Sequence, residues 1–508
     1  MHAENLEACS CKILRLCMHH RLNNNKSFAA MGRSLPVVLY LLSFAVIIAA
    51  ISLPEWNNQE TGLKIDLFSP ILRDEAVLRI NQLGKISDAE KHLQRTFLSA
   101  AAIKAGNLIE EWMQDAGLRT WTDNMGNVHG LTDGANASAP KLLIGSHLDT
   151  VVDAGMYDGS LGIICALAAL KALRISGKLE ELPRPVEVIA FSDEEGVRFH
   201  STFLGSSAIA GILPADILHI SDKSGFTVQD ALKANDFDGT EESLLQLKYD
   251  PLSVWGYIEV HIEQGPVLEA HGVPLGVVVG IAGQTRLKVT LKGSQGHAGT
   301  VPMSMRRDPM PAAAEGIVFL EKLCKYPEEH LTEDGKDNLF GMGDSDGSTV
   351  CTVGEIATWP SASNVIPGQV TFTVDIRARV DALREFIISE FKDKLYEICD
   401  KRSLSCSIER KNDASVVDCH SDMNFRLHNA ARIAMQNLPL LQTCKASDDV
   451  PMLMSGAGHD AMALSHLTKV GMLFVRCTGG ISHSPAEHVL EDDIWAASLS
   501  LLAFVQEM

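Results

Sequence analysis

The sequence lacks the features that typify nucleic-acid-binding and elongated helical proteins. Its 508 residues include 44 lysines and arginines against 64 aspartates and glutamates, a formal net charge of −20. An acidic chain without a basic stripe is poorly suited to the phosphate backbone of nucleic acids. Heptad runs, Walker loops and internal repeats are also missing. A large acidic enzyme or binding protein, long enough for more than one domain, fits these observations.

Cysteine is present but follows no regular spacing. The chain contains 11 cysteines, an odd number, and Cys165, Cys351 and Cys477 fall in apolar stretches that indicate burial. Disulfide-rich domains instead show even numbers of cysteines at regular spacings. The sequence therefore predicts no disulfide framework.

Charge is absent from one long segment near the amino terminus. Residues Leu35 to Leu53 carry no charged side chain and follow a leader with several basic residues. This pattern predicts a secretory signal or membrane anchor within a leader of residues 1–60, so we expect the chain to enter the lumen of the endoplasmic reticulum. Membrane contact would occur only through this segment if it is not cleaved, and a buried core helix is the alternative. The sequon beginning at Asn136 agrees with a lumenal glycoprotein.

Polar residues cluster at the ends of apolar runs. Four such runs, which we interpret as strands, each end in a loop with histidine or paired acids: residues 142–144, 186–191, 256–262 and 472–476. Helical patterns such as Gly159–Leu173 and Met423–Met435 lie between them. This alternation predicts an α/β fold with a mainly parallel sheet covered on both faces. Because ligands bind at the carboxyl ends of strands in such sheets, the loops should converge on one site.

Residues 281–413 follow a different pattern and predict a smaller α+β domain with the order βαββαβ. Its expected elements are Thr285–Lys292, Met310–Lys325, Cys351–Thr358, Gln369–Arg377, Leu383–Asp400 and Ser405–Arg410. This domain would interrupt a catalytic domain made of residues 61–280 and 414–508. Gly280, Gly283 and the polar stretch 411–414 are candidate hinges.

The residues at the strand ends suit a pair of divalent ions. Imidazole and carboxylate together bind zinc, manganese or iron, and two ions about 3.5–4 Å apart can share a carboxylate and hold a hydroxide. Of the neighbours Glu194 and Glu195, one can bind metal while the other stays free as a general base. Asp149, two residues beyond His147, can accept the second ring N–H of that histidine and orient it.

Several motifs resemble those of the M20-type metallo-amidohydrolases, in the branch of N-carbamoyl-amino-acid and allantoate amidohydrolases. The matching motifs, in order between roughly residues 70 and 508, are GSHLDT, MYDGSLG, SDEEGVRF, VHIEQGPVLE, GHAGTVPM, SASNVIPG, SGAGHDAM and ISHSPAE. HIEQG is specific to this branch, because it supplies a histidine where the peptidase relatives use an acid. The resemblance implies a di-metal catalytic domain interrupted by a dimerisation domain at residues 281–413.

The resemblance also implies two metal ions per subunit, manganese by family and zinc as the alternative. One ion would be held by His147, Asp158 and His261, and the other by Asp158, Glu195 and His483, so that Asp158 bridges. Glu194 would be the general base that takes a proton from water, supported by Asp149 as a further catalytic residue.

Residues of the substrate site are implied in the same way. Arg377 and Asn364 would bind the substrate carboxylate, a role for which the planar guanidinium is well suited. Gln284 and His459 match family positions near the ligand. His297 would reach from the small domain across a homodimer interface, bind substrate in the partner's site and stabilise the developing oxyanion.

The reaction implied is hydrolysis of allantoate to ureidoglycine, ammonia and carbon dioxide in purine and ureide breakdown, through a hydroxide held by both ions. Ureidoglycolate and N-carbamoyl-L-amino acids are the alternative substrates. A metal-binding scaffold without activity is the non-enzymatic alternative. The carboxylate of Glu194 argues against a scaffold, since binding alone does not require a free base beside a metal ligand.

Overall fold

The computed structural model describes residues 68–214, 216–331, 349–438 and 449–508. The predicted leader and the segment Leu35–Leu53 lie outside these residues. Across the described ranges, no helix combines the length and the apolar character needed to cross a membrane.

Helices and strands alternate along most of the described chain. The α-helices are α1 (Ala76–Leu83), α2 (Ala100–Asp115), α3 (Ser160–Ile175), α4 (Leu204–Ala210), α5 (Val228–Ala234), α6 (Glu241–Leu245), α7 (Val267–His271), α8 (Pro309–Lys325), α9 (Asp381–Lys401), α10 (Ser421–Gln436), α11 (Asp460–Leu464) and α12 (Glu491–Gln506). The strands are β1 (Arg119–Thr122), β2 (Val128–Thr132), β3 (Lys141–His147), β4 (Val186–Phe191), β5 (Val254–Ile262), β6 (Leu275–Ile281), β7 (Gly283–Lys292), β8 (Gly296–His297), β9 (Thr349–Thr352), β10 (Ile356–Trp359), β11 (Val365–Ile366), β12 (Gln369–Ala378), β13 (Ser405–Ala414), β14 (Val417–Asp418), β15 (Met452–Ser455) and β16 (Val470–Val475).

The larger sheet has nine strands in the order β1-β2-β4-β3-β5-β16-β6-β14, with β15 also paired to β6. The central strands β4, β3, β5 and β16 run parallel. Pairs toward both edges, such as β1–β2 and β16–β6, are antiparallel, whereas β15 runs parallel to β6. The predicted α/β class is confirmed, but the sheet is mixed. β1 and β2 cannot run parallel, because only five residues join them and a parallel pair needs a crossover connection of a dozen or more residues.

The central strands are apolar runs because helices cover both faces of the sheet. Every residue of β4 is buried, and so are six of the seven in β3. Helix α3 is itself buried along most of its length. Burial on both faces removes the alternation of polar and apolar residues that a half-exposed strand shows. These strands therefore form a rigid base for the loops at their carboxyl ends.

The smaller sheet has five strands, ordered β10-β12-β7-β13 with β9 also on β12. Its pairs are antiparallel, and β12 buries alternate residues against α8 and α9. Its hydrophobic cluster is separate from that of the larger sheet. The chain leaves the larger sheet after Ile281 and returns to it at Val417. We call residues 283–414 the small lobe and the remaining described residues the large lobe.

The predicted single strand Cys351–Thr358 is wrong in detail, since β9 and β10 take its place. Both pair with β12, but Thr352 lies opposite Asp375 while Ile356 lies opposite Phe372. The register therefore shifts by one residue between them, around Gly354. Such an extra residue is a β-bulge, and it interrupts the hydrogen-bond ladder.

The prediction of no disulfide framework is also wrong. Cys324 pairs with Cys351, and Cys399 pairs with Cys406, at Cα–Cα distances of 6.2 and 6.4 Å. Both bonds lie in the small lobe, where α8 packs beside β9 and α9 turns back into β13. Sequence spacing did not indicate these pairs, because packing of separate elements brings the cysteines together. Cys165 and Cys477 are buried, as predicted, and are free thiols, whereas Cys351 is only half-buried.

Candidate metal centre and active site

Five polar side chains meet at the carboxyl end of the parallel strands. His147 ends β3, and His261 is the penultimate residue of β5. Asp158 lies in the loop before α3, Glu195 follows β4, and His483 follows β16. Parallel strands place these loops at one edge, so residues distant in the chain become neighbours. The predicted convergence of these five residues is therefore present in the structure.

Asp158 lies between two groups of potential ligands, with one carboxylate oxygen toward each. Its Oδ1 is 3.0 Å from His261 Nε2 and 3.7 Å from His147 Nε2. Its Oδ2 is 3.2 Å from His483 Nε2, which is 3.3 Å from Glu195 Oε1. In each group, the candidate ligand atoms lie within 4.8 Å of one another. A carboxylate placed in this way can bridge two ions.

The two histidines of the first group fit a cation between them. His147 Nδ1 lies 3.1 Å from the Asp149 carbonyl oxygen, and His261 Nδ1 lies 2.9 Å from the Ile262 carbonyl oxygen. A carbonyl only accepts hydrogen bonds, so both protons of the neutral rings belong on Nδ1. The two Nε2 atoms, 3.3 Å apart, then direct bare lone pairs at each other. Asp158 Oδ1 is buried there without a hydrogen-bond partner. A metal ion would satisfy all three acceptors.

Charge in this region is dominated by buried carboxylates. Burial acts to lower the pKa of His147, but Asp158, Glu194 and other acids raise it well above its ordinary value. Burial acts to raise the pKa of Asp158, but His147, His261 and His483 hold it well below its usual range. Burial also raises the pKa of Glu194, since its charged form is poorly solvated. Divalent cations at this site would stabilise the ionised forms of these buried carboxylates.

Asp149 holds the loop that carries the paired glutamates. Its carboxylate accepts the backbone N–H groups of Glu194 and Glu195, at 2.9 and 3.2 Å. The predicted hydrogen bond from the His147 ring to this carboxylate is not made, since Oδ1 lies 3.7 Å from Nδ1, within ion-pair distance only. The ring is oriented by the Asp149 backbone carbonyl instead. Glu195 thus belongs to the ligand group that contains His483. The neighbouring Glu194 is 7% exposed and lies near His147.

Gly159 allows the loop of Asp158 to pass close to His147. Its φ of +65° lies in the left-handed region, which residues with a Cβ rarely adopt. A Cβ at this position would also lie only 2.5 Å from His147 Nδ1. The glycine in the motif DGS therefore allows the Asp158 loop to lie directly against the His147 ring.

Two of the predicted substrate residues lie side by side on the small lobe, where Arg377 contacts the loop after β15, and a third lies in that loop. Gln284 on β7 lies opposite Arg377 on β12. Asp375 holds the Arg377 guanidinium through two contacts of 2.9 and 3.2 Å, and Arg377 Nη1 donates to the Gly456 carbonyl at 2.6 Å. The same loop carries His459, which is 1% exposed. Burial and the nearby His261 keep its pKa well below the usual value, so its ring is neutral.

The other two predicted residues lie together elsewhere on the small lobe. His297 on β8 is opposite Val365 on β11, and the Asn364 carbonyl accepts the Ala298 N–H at 2.9 Å. The His297 side chain is exposed. Among the described residues of this single chain, neither His297 nor Asn364 makes a hydrogen bond or ion pair with the metal-ligand candidates. Their role at the site stays a prediction.

Sequence reasoning missed three side chains around Asp158. Gln264 Nε2 and Ser482 Oγ lie 3.0 and 3.1 Å from Asp158 Oδ2. Glu487 accepts the backbone N–H groups of Tyr157 and Asp158. Gln264 and Ser482 are close in sequence to His261 and His483, within the motifs HIEQG and ISHS, which was a usable signal. Glu487 likewise ends the quoted motif ISHSPAE, but its contact with the backbone of the distant Asp158 loop is visible only in the structure.

Comparison with known proteins agrees with this geometry. The model of "Peptidase family M20/M25/M40" matches residues 143–507. Allantoate deiminase 2 of Glycine max is 64% identical to this chain, and the alignment covers 92% of this chain and 96% of the deiminase. An N-carbamoyl-L-amino-acid amidohydrolase of Pseudomonas is 38% identical, and the alignment covers 84% of this chain and 95% of the amidohydrolase. A crystal structure of a hydantoinase/carbamoylase-family amidase from Burkholderia multivorans superposes with a TM-score of 0.72 at 27% identity, over 85% of this chain and 97% of that one.

Proposed function

The chain belongs to peptidase family M20/M25/M40, and on this basis we propose that it is a metal-dependent allantoate deiminase. It would hydrolyse allantoate to ureidoglycine, ammonia and carbon dioxide. The observation that carries the chemistry is Asp158, whose two oxygens face two separate ligand groups. The choice of allantoate rests on the greater similarity to the plant deiminase than to the carbamoyl-amino-acid hydrolase.

Two divalent ions, manganese in this proposal, would polarise the ureido carbonyl and lower the pKa of water at the site. His147, Asp158 and His261 would hold one ion, and Asp158, Glu195 and His483 the other. Zinc fits the same donor set, since nitrogen and oxygen ligands suit both metals.

Side chains of the protein would transfer the proton and bind the substrate. Glu194 would take the proton from the attacking water and pass it to the nitrogen that leaves when the C–N bond breaks. Asp149 fixes the backbone of Glu194 and so directs its carboxylate. Arg377 and Gln284 would bind the substrate carboxylate and amide groups beside neutral His459, whose ring offers a hydrogen bond without a charge.

A homodimer would complete the site. His297 is exposed and lies next to Asn364 on the small lobe, and among the described residues it makes no hydrogen bond or ion pair with either ligand group of its own chain. We place His297 in the partner's site, where it would donate to the developing oxyanion, and Asn364 beside the substrate carboxylate.

The test is ammonia release from purified protein loaded with manganese. Allantoate should be turned over faster than ureidoglycolate or N-carbamoyl-L-amino acids, judged by kcat/KM. Glu194→Gln protein, prepared in parallel, controls for contaminating hydrolases. A higher kcat/KM for either alternative class would overturn the substrate assignment but not the metal centre.

We also propose that the protein resides in the endoplasmic reticulum lumen as a glycoprotein. Leu35–Leu53 supports targeting. The two disulfides of the small lobe suit an oxidising compartment. Asn136 is exposed in the loop between β2 and β3, where a glycan can be attached. A fluorescent fusion of the full chain should enter the reticulum, whereas one lacking 35–53 should not. Cytosolic fluorescence from the full-length fusion would contradict the proposal.

A further inference from the structure

Glu487 connects the two loops that carry Asp158 and His483. Its carboxylate is buried, with 4% of the residue exposed. Oε1 accepts the backbone N–H of Tyr157 at 2.8 Å and that of Asp158 at 3.1 Å, while Oε2 lies 3.3 Å from Ser482 Oγ. We propose that Glu487 is a positioning residue that sets the affinity of the ion held by Asp158, Glu195 and His483. This inference rests on the two-ion assignment above, but not on the identity of the substrate.

The two ions differ in how their ligands are supported. His147 and His261 lie at the ends of β3 and β5, which pair directly, and each ring is fixed by a backbone carbonyl. His483 instead lies in a loop with a φ of +54°, and 49% of its side chain is exposed. Loss of a loop contact should therefore disturb His483 more than the strand-borne histidines.

We call the ion held by His147, Asp158 and His261 the first ion, and the ion held by Asp158, Glu195 and His483 the second. Ser482 makes the contact of Glu487 specific to the second ion. Its hydroxyl lies 3.1 Å from Asp158 Oδ2, the oxygen that faces His483, and it also accepts from Gln264 Nε2 at 3.1 Å. A hydroxyl has one proton, so Ser482 can donate to Asp158 or to Glu487 but not to both. When an ion occupies Asp158 Oδ2, Glu487 is the acceptor that remains.

The Glu487 side chain packs tightly against the backbone of the loop that carries Asp158. A Cβ added at Gly155 would overlap the Glu487 side chain, so the backbone of the Asp158 loop passes directly against it. The contact thus joins residues 330 positions apart in the chain. Removal of the carboxylate would break the link between Ser482 and the backbone of Tyr157 and Asp158, so the exposed loop of Ser482 and His483 could shift while the strand-borne histidines stay in place.

The test is equilibrium binding of Mn²⁺ alone, measured as ions bound per subunit against free Mn²⁺. Glu487→Ala should weaken one ion by about 10–100-fold, as is typical for residues that orient metal ligands, and leave the other near wild type. His483→Ala, which removes a ligand of the second ion only, identifies the binding step that belongs to the first. Glu491→Ala is the matched control, because Glu491 is an exposed acid a few residues away.

The conservative variant separates positioning from charge. Glu487→Gln retains an oxygen for the two N–H groups and should bind both ions within a few-fold of wild type. Unchanged affinity for the second ion in Glu487→Ala would overturn the proposal, as would an equal loss in Glu487→Gln. If Glu487→Ala does not fold, Ser482→Ala provides the same test. That variant should weaken the second ion selectively, and wild-type binding of both ions would count against the inference. Since no substrate is used, failure here is distinct from failure of the deiminase assignment.

Discussion

Replacement of His129 by glutamine should remove a stabilising contribution that depends on pH. His129 on β2 is 1% exposed and lies between two carboxylates, with Nδ1 2.8 Å from Glu187 Oε1 and Nε2 3.1 Å from Asp123 Oδ2. Glu187 also binds Lys141 Nζ at 2.7 Å and the Tyr249 hydroxyl at 2.6 Å. This network lies on the strands at one edge of the larger sheet, outside both metal-ligand groups, so its titration reports on the fold.

The magnitude follows from the pKa of the histidine. Burial acts to lower the pKa of His129, but the two carboxylates raise it from 6.5 to about 9. This difference corresponds to about 3 kcal/mol, at roughly 1.4 kcal/mol for each tenfold change in proton affinity. Because the folded pKa is the higher one, the contribution is fully present below about pH 6.5 and is lost as the pH rises through about 9.

The assay is urea unfolding of wild type and His129→Gln at pH values from about 6 to about 10, with Mn²⁺ held constant. The difference between their free energies of unfolding should shrink by about 3 kcal/mol across this range. His219→Gln, which changes an exposed histidine, should follow wild type at every pH. If wild type and His129→Gln lose stability in parallel, the histidine is not charged in the folded protein and the reasoning fails.

Three further predictions concern the proposed metal centre and the proposed homodimer. Asp158→Ala should lose both ions and essentially all activity, and elemental analysis that still finds two ions would exclude bridging. Glu194→Gln should lower kcat by about 10²–10⁴-fold with normal metal content, whereas Glu195→Gln should bind metal more weakly; the reverse pattern would exchange their roles. His297→Ala should lower turnover without loss of metal, and subunit exchange between inactive His297→Ala and Glu194→Gln dimers should restore about one active site per mixed dimer. No recovery despite proven exchange would place His297 outside the partner's site.

Much of the candidate site was predictable because its signals are local. β4 was predicted with its observed bounds, and β5 and β16 were placed within two residues at each end. Their apolar runs reflect burial on both faces, which leaves a direct mark on composition. The loops after these strands carry His261, Glu195 and His483, and the carboxyl ends of parallel strands must share one edge. The roles of these residues as ligands stay predictions.

Less was predictable where one sequence pattern is compatible with several strand arrangements. A single β-run was expected at Cys351–Thr358, and only the pairing with β12 shows that a bulge divides it. A mainly parallel sheet was expected, and the sequence did not show which strands run antiparallel, such as β1 with β2 and β16 with β6. Strand patterns report burial, whereas direction and register depend on which neighbour each strand meets.

The sequence by itself determined the order of the central strands, the place of the insertion and the side chains gathered at the strand ends. Hydrophobic periodicity and motif spacing encode these features over short distances. Only the tertiary structure decided the pairing of Cys324 with Cys351, the hold of Asp149 on the Glu194 backbone, and the contact of Glu487 with the Asp158 loop. Each of these contacts joins separate segments that only the folded structure brings together, so no local pattern specifies the partner.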